Sequence, residues 1–312
     1  MNLQRLIEQY ISYRRSLGSP FNVDAIVLRA FGHARGPRAT IAGVRTEHVD
    51  AFLGKARPVT TNWFSKLSRL RYFFRYAVSR DYIASAPLPS VIPKWPSPFV
   101  PYIYTREELR CLLQATKFLG PKKRLLEPVM IRTMILVYYG AGLRLREAIN
   151  LTRADVDLSA SVLTIRNTKF GKTRLVPVGP QLCRALVQYD STRPKGRPAD
   201  APFFTKVTGG PVNNRSLDGN FRILCQHADI RRRDGARQQP RIHDLRHTFA
   251  VHRLTSWYQQ GADVQRLLHH LSVYLGHACL ENTQVYLSMT PELLREASQR
   301  FERYAGKERH HA

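Results

Sequence analysis

Six prolines fall between positions 87 and 101 (Pro87, Pro89, Pro93, Pro96, Pro98 and Pro101), and no other feature limits the chain's possible folds as much. Each proline locks φ near about −65° and lacks a backbone N–H. A stretch this dense cannot continue a helix and favours extended polyproline geometry. With 312 residues in all, the segments on both sides are long enough to bury cores of their own. The expected organisation is a helical domain over residues 1–86, a linker over 87–103, a second domain over 104–290, and a C-terminal helix and tail over 291–312.

The first part reads as four helices. Leu3, Leu6, Ile7, Tyr10 and Ile11 share one face of a helix over residues 2–17, which Gly18-Ser19-Pro20 stops. A second is expected over 23–31. A third, short one follows Thr46, with Glu47 and Asp50 where a helix dipole favours acids. In the fourth, capped by Thr60 or Thr61, the residues Trp63, Leu67, Leu70, Phe74 and Ala77 recur at helical spacing. Lys66, Arg69, Arg71 and Arg75 occupy its other faces and are expected to meet phosphate.

Beyond the prolines, Thr105-Arg106-Glu107-Glu108 is a capping-box pattern that opens a new helix. Residues 128–139 are apolar on most sides, so this helix is expected at the buried centre of the second domain; Gly140-Ala141-Gly142 ends it. A further helix follows Leu143-Arg144-Leu145-Arg146-Glu147 and stops before Asp155. Over 161–178 the period changes. Val162, Thr164 and Ile165 form a strand, Lys169-Phe170-Gly171-Lys172 a turn, and Arg174 to Val178 the return strand. From Gln181 the chain is again mainly helical, apart from polar loops at 191–202 and 231–240. The fold class is mainly α with a small β-hairpin in the C-terminal domain.

Lys and Arg outnumber Asp and Glu by 49 to 23, a formal charge of +26. The surplus is not confined to a tail, since residues 1–100 carry 15 basic and 5 acidic residues. An unpaired surplus of this size costs self-repulsion. Spread over two globular parts, it points to one anionic partner touched by both, most simply double-stranded DNA. Cys111, Cys183, Cys225 and Cys279 are far apart and include no CxxC pair, which argues against a zinc ribbon or a disulfide framework. No signal-peptide core and no 18-residue apolar run is present, so the expectation is a cytoplasmic protein with no membrane contact.

The second half carries an ordered set of motifs. Gly142-Leu143-Arg144-x-x-Glu147 comes first. His243-x-x-Arg246-His247 is next, and Leu275-Gly276-His277 is followed nine residues later by Tyr286. Lys169 lies between the first two, 25 residues after Arg144. In order and spacing the set resembles the tyrosine recombinases, the phage-integrase and Xer-like enzymes. The likeness extends over residues 101–290, and reaches the N-terminal domain only in size and character. It implies an integrase-like catalytic domain behind a helical core-binding domain. It also implies DNA strand transfer without metal, ATP or cofactor, and assembly of four protomers, identical or related, on DNA.

The chemistry suits these residue types. A phosphodiester gains negative charge in its pentacoordinate transition state, and an arginine fork holds two non-bridging oxygens at once. Arg144 and Arg246 are assigned to that clamp. Tyr286 is assigned as the nucleophile that forms a 3′-phosphotyrosine, His243 as the acid–base partner, and His277 as a donor to a non-bridging oxygen. Lys169, in preference to Lys172, is assigned to protonate the leaving oxygen. Taken alone, a tyrosine in Val285-Tyr286-Leu287 reads as packed core; its register after Leu275-Gly276-His277 singles it out. Arg146 and His247 read as structural or DNA-facing neighbours, and Glu147 as a buttress for a cation. Adjacent His269 and His270 point apart on a helix and do not suggest a metal.

Two further features bear on biological role. From Gly261 in Gly261-Ala262-Asp263, His277 lies 16 residues on, about four more than in the simplest Xer-like proteins and roughly one helical turn. This favours a recombinase of a mobile element, acting in integration, excision or transposition, over chromosome-dimer resolution. After Tyr286, Pro291 opens a helix with Leu293, Leu294, Ala297, Phe301 and Tyr304 at helical spacing, expected to dock into a neighbouring protomer. A type IB topoisomerase, and a DNA-binding accessory protein without activity, are the alternatives that the residues leave open.

Overall fold

The apolar stripe at the N-terminus forms α1 (Leu3–Ser16), with Leu3, Leu6, Ile7, Tyr10 and Ile11 all buried. The computed structural model describes residues 1–54, 59–96, 99–119, 126–166, 172–236, 238–289, 294–299 and 302. These fall into two compact units, Met1–Phe99 and Val100–Ala312, so the division lies within the proline-rich segment.

In the first unit, α2 (Asn22–Arg35) runs past residue 31 and through Gly32, ending at Gly36, which takes φ +88°. A Cβ on Gly32 would sit 3.0 Å from Ile7 Cδ1, so glycine there lets α1 and α2 approach closely. α3 (Thr46–Leu53) and α4 (Thr61–Ser79) complete the bundle. α4 buries Phe64, Leu67, Leu70, Phe73, Phe74 and Ala77, a stripe wider than the spacing predicts, while Trp63 is half-buried and packs edge-on against Phe64. Two of its four expected phosphate-facing cations serve the fold instead. Lys66 donates to the Phe52 carbonyl at 3.2 Å, and Arg69 pairs with Asp24 at 2.8 Å. Arg71 and Arg75 are exposed.

The second unit opens with α5 (Arg106–Ala115), where Thr105 and Glu108 cap each other reciprocally. α6 (Pro128–Gly140) starts on a proline at its first turn and buries Met130, Ile131, Thr133, Met134, Ile135, Val137 and Tyr138. α7 (Leu145–Ile149) leads into an antiparallel sheet of β1 (Val156–Asp157), β2 (Val162–Ile165) and β3 (Arg174–Pro177), in that order. The β2–β3 register pairs Leu163 with Val176 and Ile165 with Arg174. β1 was not expected; two residues carry no detectable period. α8 (Pro180–Ser191), α9 (Asn214–His227), α10 (Asp244–Gln259) and α11 (Val264–Leu275) follow, then α12 (Glu281–Gln284) and a 3₁₀ turn, Val285–Ser288.

α6 packs against α8 and α10 inside the larger core. A second cluster joins α10 to α11 and to Tyr286 through Phe249, Leu254, Leu268 and Leu275. The 16-residue stretch ending at His277 is thus built around one continuous helix, α11. After residue 290, positions 294–299 are helical, and Gln259 Nε2 donates to Glu296 at 3.3 Å; Leu293, Phe301 and Tyr304 lie outside the described residues. Among the described residues no helix is long and apolar enough to cross a membrane.

Candidate active site

Arg144 owes its position to a glycine. Gly142 takes φ +60° after α6, and a Cβ there would come within 2.6 Å of Phe249 Cδ1 and 2.8 Å of Leu275 Cδ2. The turn leaves Arg144 as the N-cap of α7, with extended backbone. Glu147, three residues on, accepts from the Arg144 backbone N–H at 2.9 Å and from Nη1 at 2.7 Å. Arg144 Nη2 reaches the Gly276 carbonyl at 2.5 Å, 132 residues away in sequence.

Arg246 comes from the first turn of α10 and is 3 % exposed. Its Nη1 donates to the Gly142 carbonyl at 2.5 Å and its Nη2 to the Leu275 carbonyl at 2.8 Å. The two arginines are therefore fastened to consecutive carbonyls, Leu275 and Gly276, at the end of α11. Three motifs that are far apart in sequence meet at that turn.

A third guanidinium shares the site. Arg174, on β3, forms a bidentate pair with Glu147 (3.0 and 2.7 Å) and donates through Nε to the Tyr274 carbonyl at 3.1 Å. Glu147 also lies 3.9 Å from Arg246. Gly276 has φ +68°, and a Cβ on it would meet the Arg174 guanidinium at 2.7 Å, so this glycine serves both the helix end and the close approach of Arg174. Burial pushes the Glu147 carboxyl up, but the hydrogen bonds from Arg174 and Arg144 outweigh it and hold the group at about 2. Burial, and then the charge of Arg144, brings the Arg246 guanidinium down to about 10.

The nucleophile candidate lies in the 3₁₀ turn after α12. Tyr286 is 3 % exposed, and its ring lies near those of His247 and His277, with centroids 5.6 and 6.1 Å away. Its hydroxyl is 3.2 Å from His247 Nδ1. His277 Nδ1 is 2.7 Å from the hydroxyl of Thr283, which is fully buried. His243 caps α10, and its ring stands 5.2 Å from that of His247, one helical turn on. Burial raises the Tyr286 phenol, against the pull of Arg246 and Arg144. Burial also lowers the histidines, helped by the arginines: His247 to about 3, His277 to about 4, and His243 in the same direction.

The structure thus gathers Arg144, His243, Arg246, His277 and Tyr286. Lys169 lies outside the described residues. Arg146 is exposed, as a neighbour rather than a member of the cluster. Glu147 buttresses cations as expected from the sequence, but two contacts were not anticipated there. One is the close approach of His247 to Tyr286. The other is Arg174, for which a signal existed: in β3 Leu175 is exposed and Val176 buried, so Arg174 shares the inward face with Val176. An arginine on the inward face of a strand requires a partner.

Comparison with known proteins gives the family of the chain. Residues 105–292 match the phage integrase family, and the chain belongs to that family of site-specific tyrosine recombinases. It is 34 % identical over 313 residues to a Sinorhizobium fredii (strain NBRC 101917 / NGR234) protein named "Putative integrase/recombinase y4rB", covering 96 % of this chain and 97 % of the relative. It is 33 % identical to the tyrosine recombinase XerA of Thermococcus onnurineus (strain NA1), over 74 % of this chain and 72 % of the relative. Among solved structures, the fold resembles the Tn1549 transposon integrase in complex with transposon right end DNA. That match has a TM-score of 0.68 at 20 % identity, with 98 % of this chain and 100 % of the other covered. It also resembles a lambda integrase dimer bound to a COC′ core site, with a TM-score of 0.63 at 16 % identity, over 90 % of this chain and 96 % of the other.

Proposed function

We propose that this recombinase serves a mobile element, cleaving and rejoining duplex DNA through Tyr286 with Arg144 and Arg246 holding the scissile phosphate. The observation that carries the reading is the common anchoring of both arginines on the Leu275–Gly276 turn, with His277 next in the chain and Tyr286 stacked on it. Fixed in this way, the guanidiniums do not have to reorganise as charge builds on the non-bridging oxygens. Tyr286 attacks phosphorus, the 5′ oxygen departs, and the phosphate ester is conserved in the 3′-phosphotyrosine until a DNA hydroxyl reclaims it. The Thr283 hydroxyl lies 2.7 Å from His277 Nδ1; in the tautomer where Thr283 donates, the imidazole proton sits on Nε2, the form needed to donate to a non-bridging oxygen. Lys169 is assigned to protonate the 5′ oxygen, and His243 to acid–base work at the phosphate.

The first unit supplies further basic surface to the duplex, and the protein works in the cytoplasm as a tetramer of identical or related protomers. A lambda integrase tetramer bound to a Holliday junction is among its structural relatives, which supports that assembly. The mobile-element role is supported by the likeness to the Tn1549 transposon integrase. The test is a nicked suicide duplex built from the repeats that flank the gene. The expected result is a covalent protein–DNA adduct, absent in Tyr286→Phe. No adduct from the wild type refutes the reading in favour of an accessory protein. Efficient relaxation of a supercoiled plasmid without such repeats refutes it in favour of a topoisomerase.

A further inference from the structure

We infer that His247 is the catalytic residue that accepts the Tyr286 phenolic proton as the tyrosine attacks phosphorus, a role that rests on the function proposed above. The contact is direct, 3.2 Å from Nδ1 to the hydroxyl. His247 follows Arg246 in α10, so the helix that carries a phosphate-holding arginine also fixes the acceptor. His243 stands one turn earlier, beside the His247 ring, which leaves it to serve the phosphate side.

The surroundings keep His247 unprotonated. Burial comes first, followed by the charges of His243, Arg246 and Arg241 from its own helix and the residues before it, and of His277 from the turn after α11. Together these hold the imidazole neutral, with Tyr286 facing it as well. In the tautomer that carries its proton on Nε2, the neutral imidazole accepts a hydrogen bond from the hydroxyl through Nδ1, and that is the form this role requires. Against a phenol of ordinary pKa about 10, so weak a base cannot remove the proton in advance. The transfer is concerted: as oxygen bonds to phosphorus the phenol becomes a strong acid, and the proton passes to Nδ1.

The step balances. The Tyr286 oxygen forms the new O–P bond while His247 Nδ1 takes its proton. The bridging P–O5′ bond breaks with its electron pair on the 5′ oxygen, which is protonated by Lys169 in the proposed assignment. On rejoining, a DNA 5′ hydroxyl gives its proton to Lys169 as it attacks phosphorus, the Tyr286–phosphorus bond breaks with its electron pair on the phenolic oxygen, and His247 returns its proton to that oxygen.

The experiment measures single-turnover adduct formation on the suicide duplex, with DNA affinity followed in parallel by gel shift. His247→Asn places an amide oxygen near the position of Nδ1, an acceptor of hydrogen bonds that cannot hold a proton. The expected result is adduct formation slowed about 100-fold or more at unchanged affinity. Replacing Tyr286 by 2,3,5-trifluorotyrosine, whose phenol ionises more readily, is expected to recover most of that loss. A purely structural histidine would not be bypassed in this way. If His247→Asn loses DNA binding, His247→Ala carries the comparison, again with and without the fluorinated tyrosine. An adduct rate in the variant equal to or faster than wild type overturns the inference alone, as does failure of the fluorinated tyrosine to restore it. Absence of an adduct from the wild type overturns the underlying function as well.

Discussion

Glu147→Gln removes the carboxylate that three guanidiniums share while keeping the shape of the side chain. The carboxyl is held at about 2 against an ordinary 4.5, so the folded protein favours its charged form by about 3 kcal/mol. At 10 % side-chain exposure, solvent screening reduces that figure only modestly. The value also agrees with the cost of removing one partner from a buried ion pair, about 3–5 kcal/mol, and is large beside a net domain stability of about 5–15 kcal/mol. The pH dependence follows from the sign. A carboxyl whose folded pKa is depressed contributes fully above its unfolded value and loses the contribution as pH falls toward the folded one. The stability gap between wild type and Glu147→Gln is therefore expected to be about 3 kcal/mol at neutral pH and less than half of that by about pH 3. Urea unfolding reads it, with sucrose added to keep both proteins folded in acid. A Trp63→Phe, Trp95→Phe background leaves Trp257 as the remaining tryptophan, and it reports the unit that holds Glu147. Inorganic phosphate is expected to stabilise the variant more than the wild type, because an added anion replaces the lost charge. A gap that stays constant from pH 7 to pH 3, or a smaller phosphate effect in the variant, would refute this account of the cluster.

Other consequences are simpler to check. Gly142→Ala forces a Cβ into Phe249 and Leu275 at a positive φ, so a thermal melt is expected to show a loss of about 2 kcal/mol or more, with cleavage impaired alongside. Thr283→Val keeps the shape of a fully buried residue but deprives His277 Nδ1 of its partner; adduct formation is expected to fall about tenfold at unchanged DNA affinity, given a cost of about 1–3 kcal/mol for an unsatisfied buried polar group. Thr105→Ala breaks the reciprocal cap of α5 and is expected to cost about 1 kcal/mol of stability in urea while leaving cleavage unchanged.

Local chemistry made much of this chain legible, and long-range packing concealed the rest. Thr105 and Glu108 cap α5 because the two side chains satisfy each other's backbone, which needs nothing from the remainder of the fold. The apolar run from Pro128 told its own depth, and the period change over 161–178 told of β2 and β3. Arg69 was misjudged because its partner, Asp24, sits on another helix, and only the packing of α2 against α4 reveals the pair. The same limit applied at the site. Spacing puts His243 and His247 on one face of a helix but does not say which of them meets Tyr286, since that depends on how the turn Val285–Ser288 lies against α10. Arg174 was readable only from the inward face of a strand whose neighbours' burial was not yet known.

The anchoring of the arginines has a consequence for the histidines. Three guanidiniums and one carboxylate leave the cluster with net positive charge. Burial first, then the charges of His243, Arg246 and Arg241, hold His247 near 3; burial, then Arg246, Arg144 and Arg174, hold His277 near 4. Without DNA the imidazoles are therefore poor proton acceptors, and Tyr286 keeps its proton in a buried setting that disfavours the phenolate. On the proposed assignment, a phosphodiester entering between Arg144 and Arg246 adds negative charge close to both histidines. Opposite charge raises the pKa of an imidazole, so the arriving substrate itself makes these rings more basic. The acid–base groups become effective when there is a phosphate to attack, and a stray nucleophilic tyrosinate is avoided in its absence. Glu147 sets the strength of this coupling. Were its carboxylate to neutralise the cluster fully, the histidines would be basic already and phosphate would change little; without it, mutual repulsion would drive the arginines apart. One carboxylate among three arginines holds the site together and still leaves it positive.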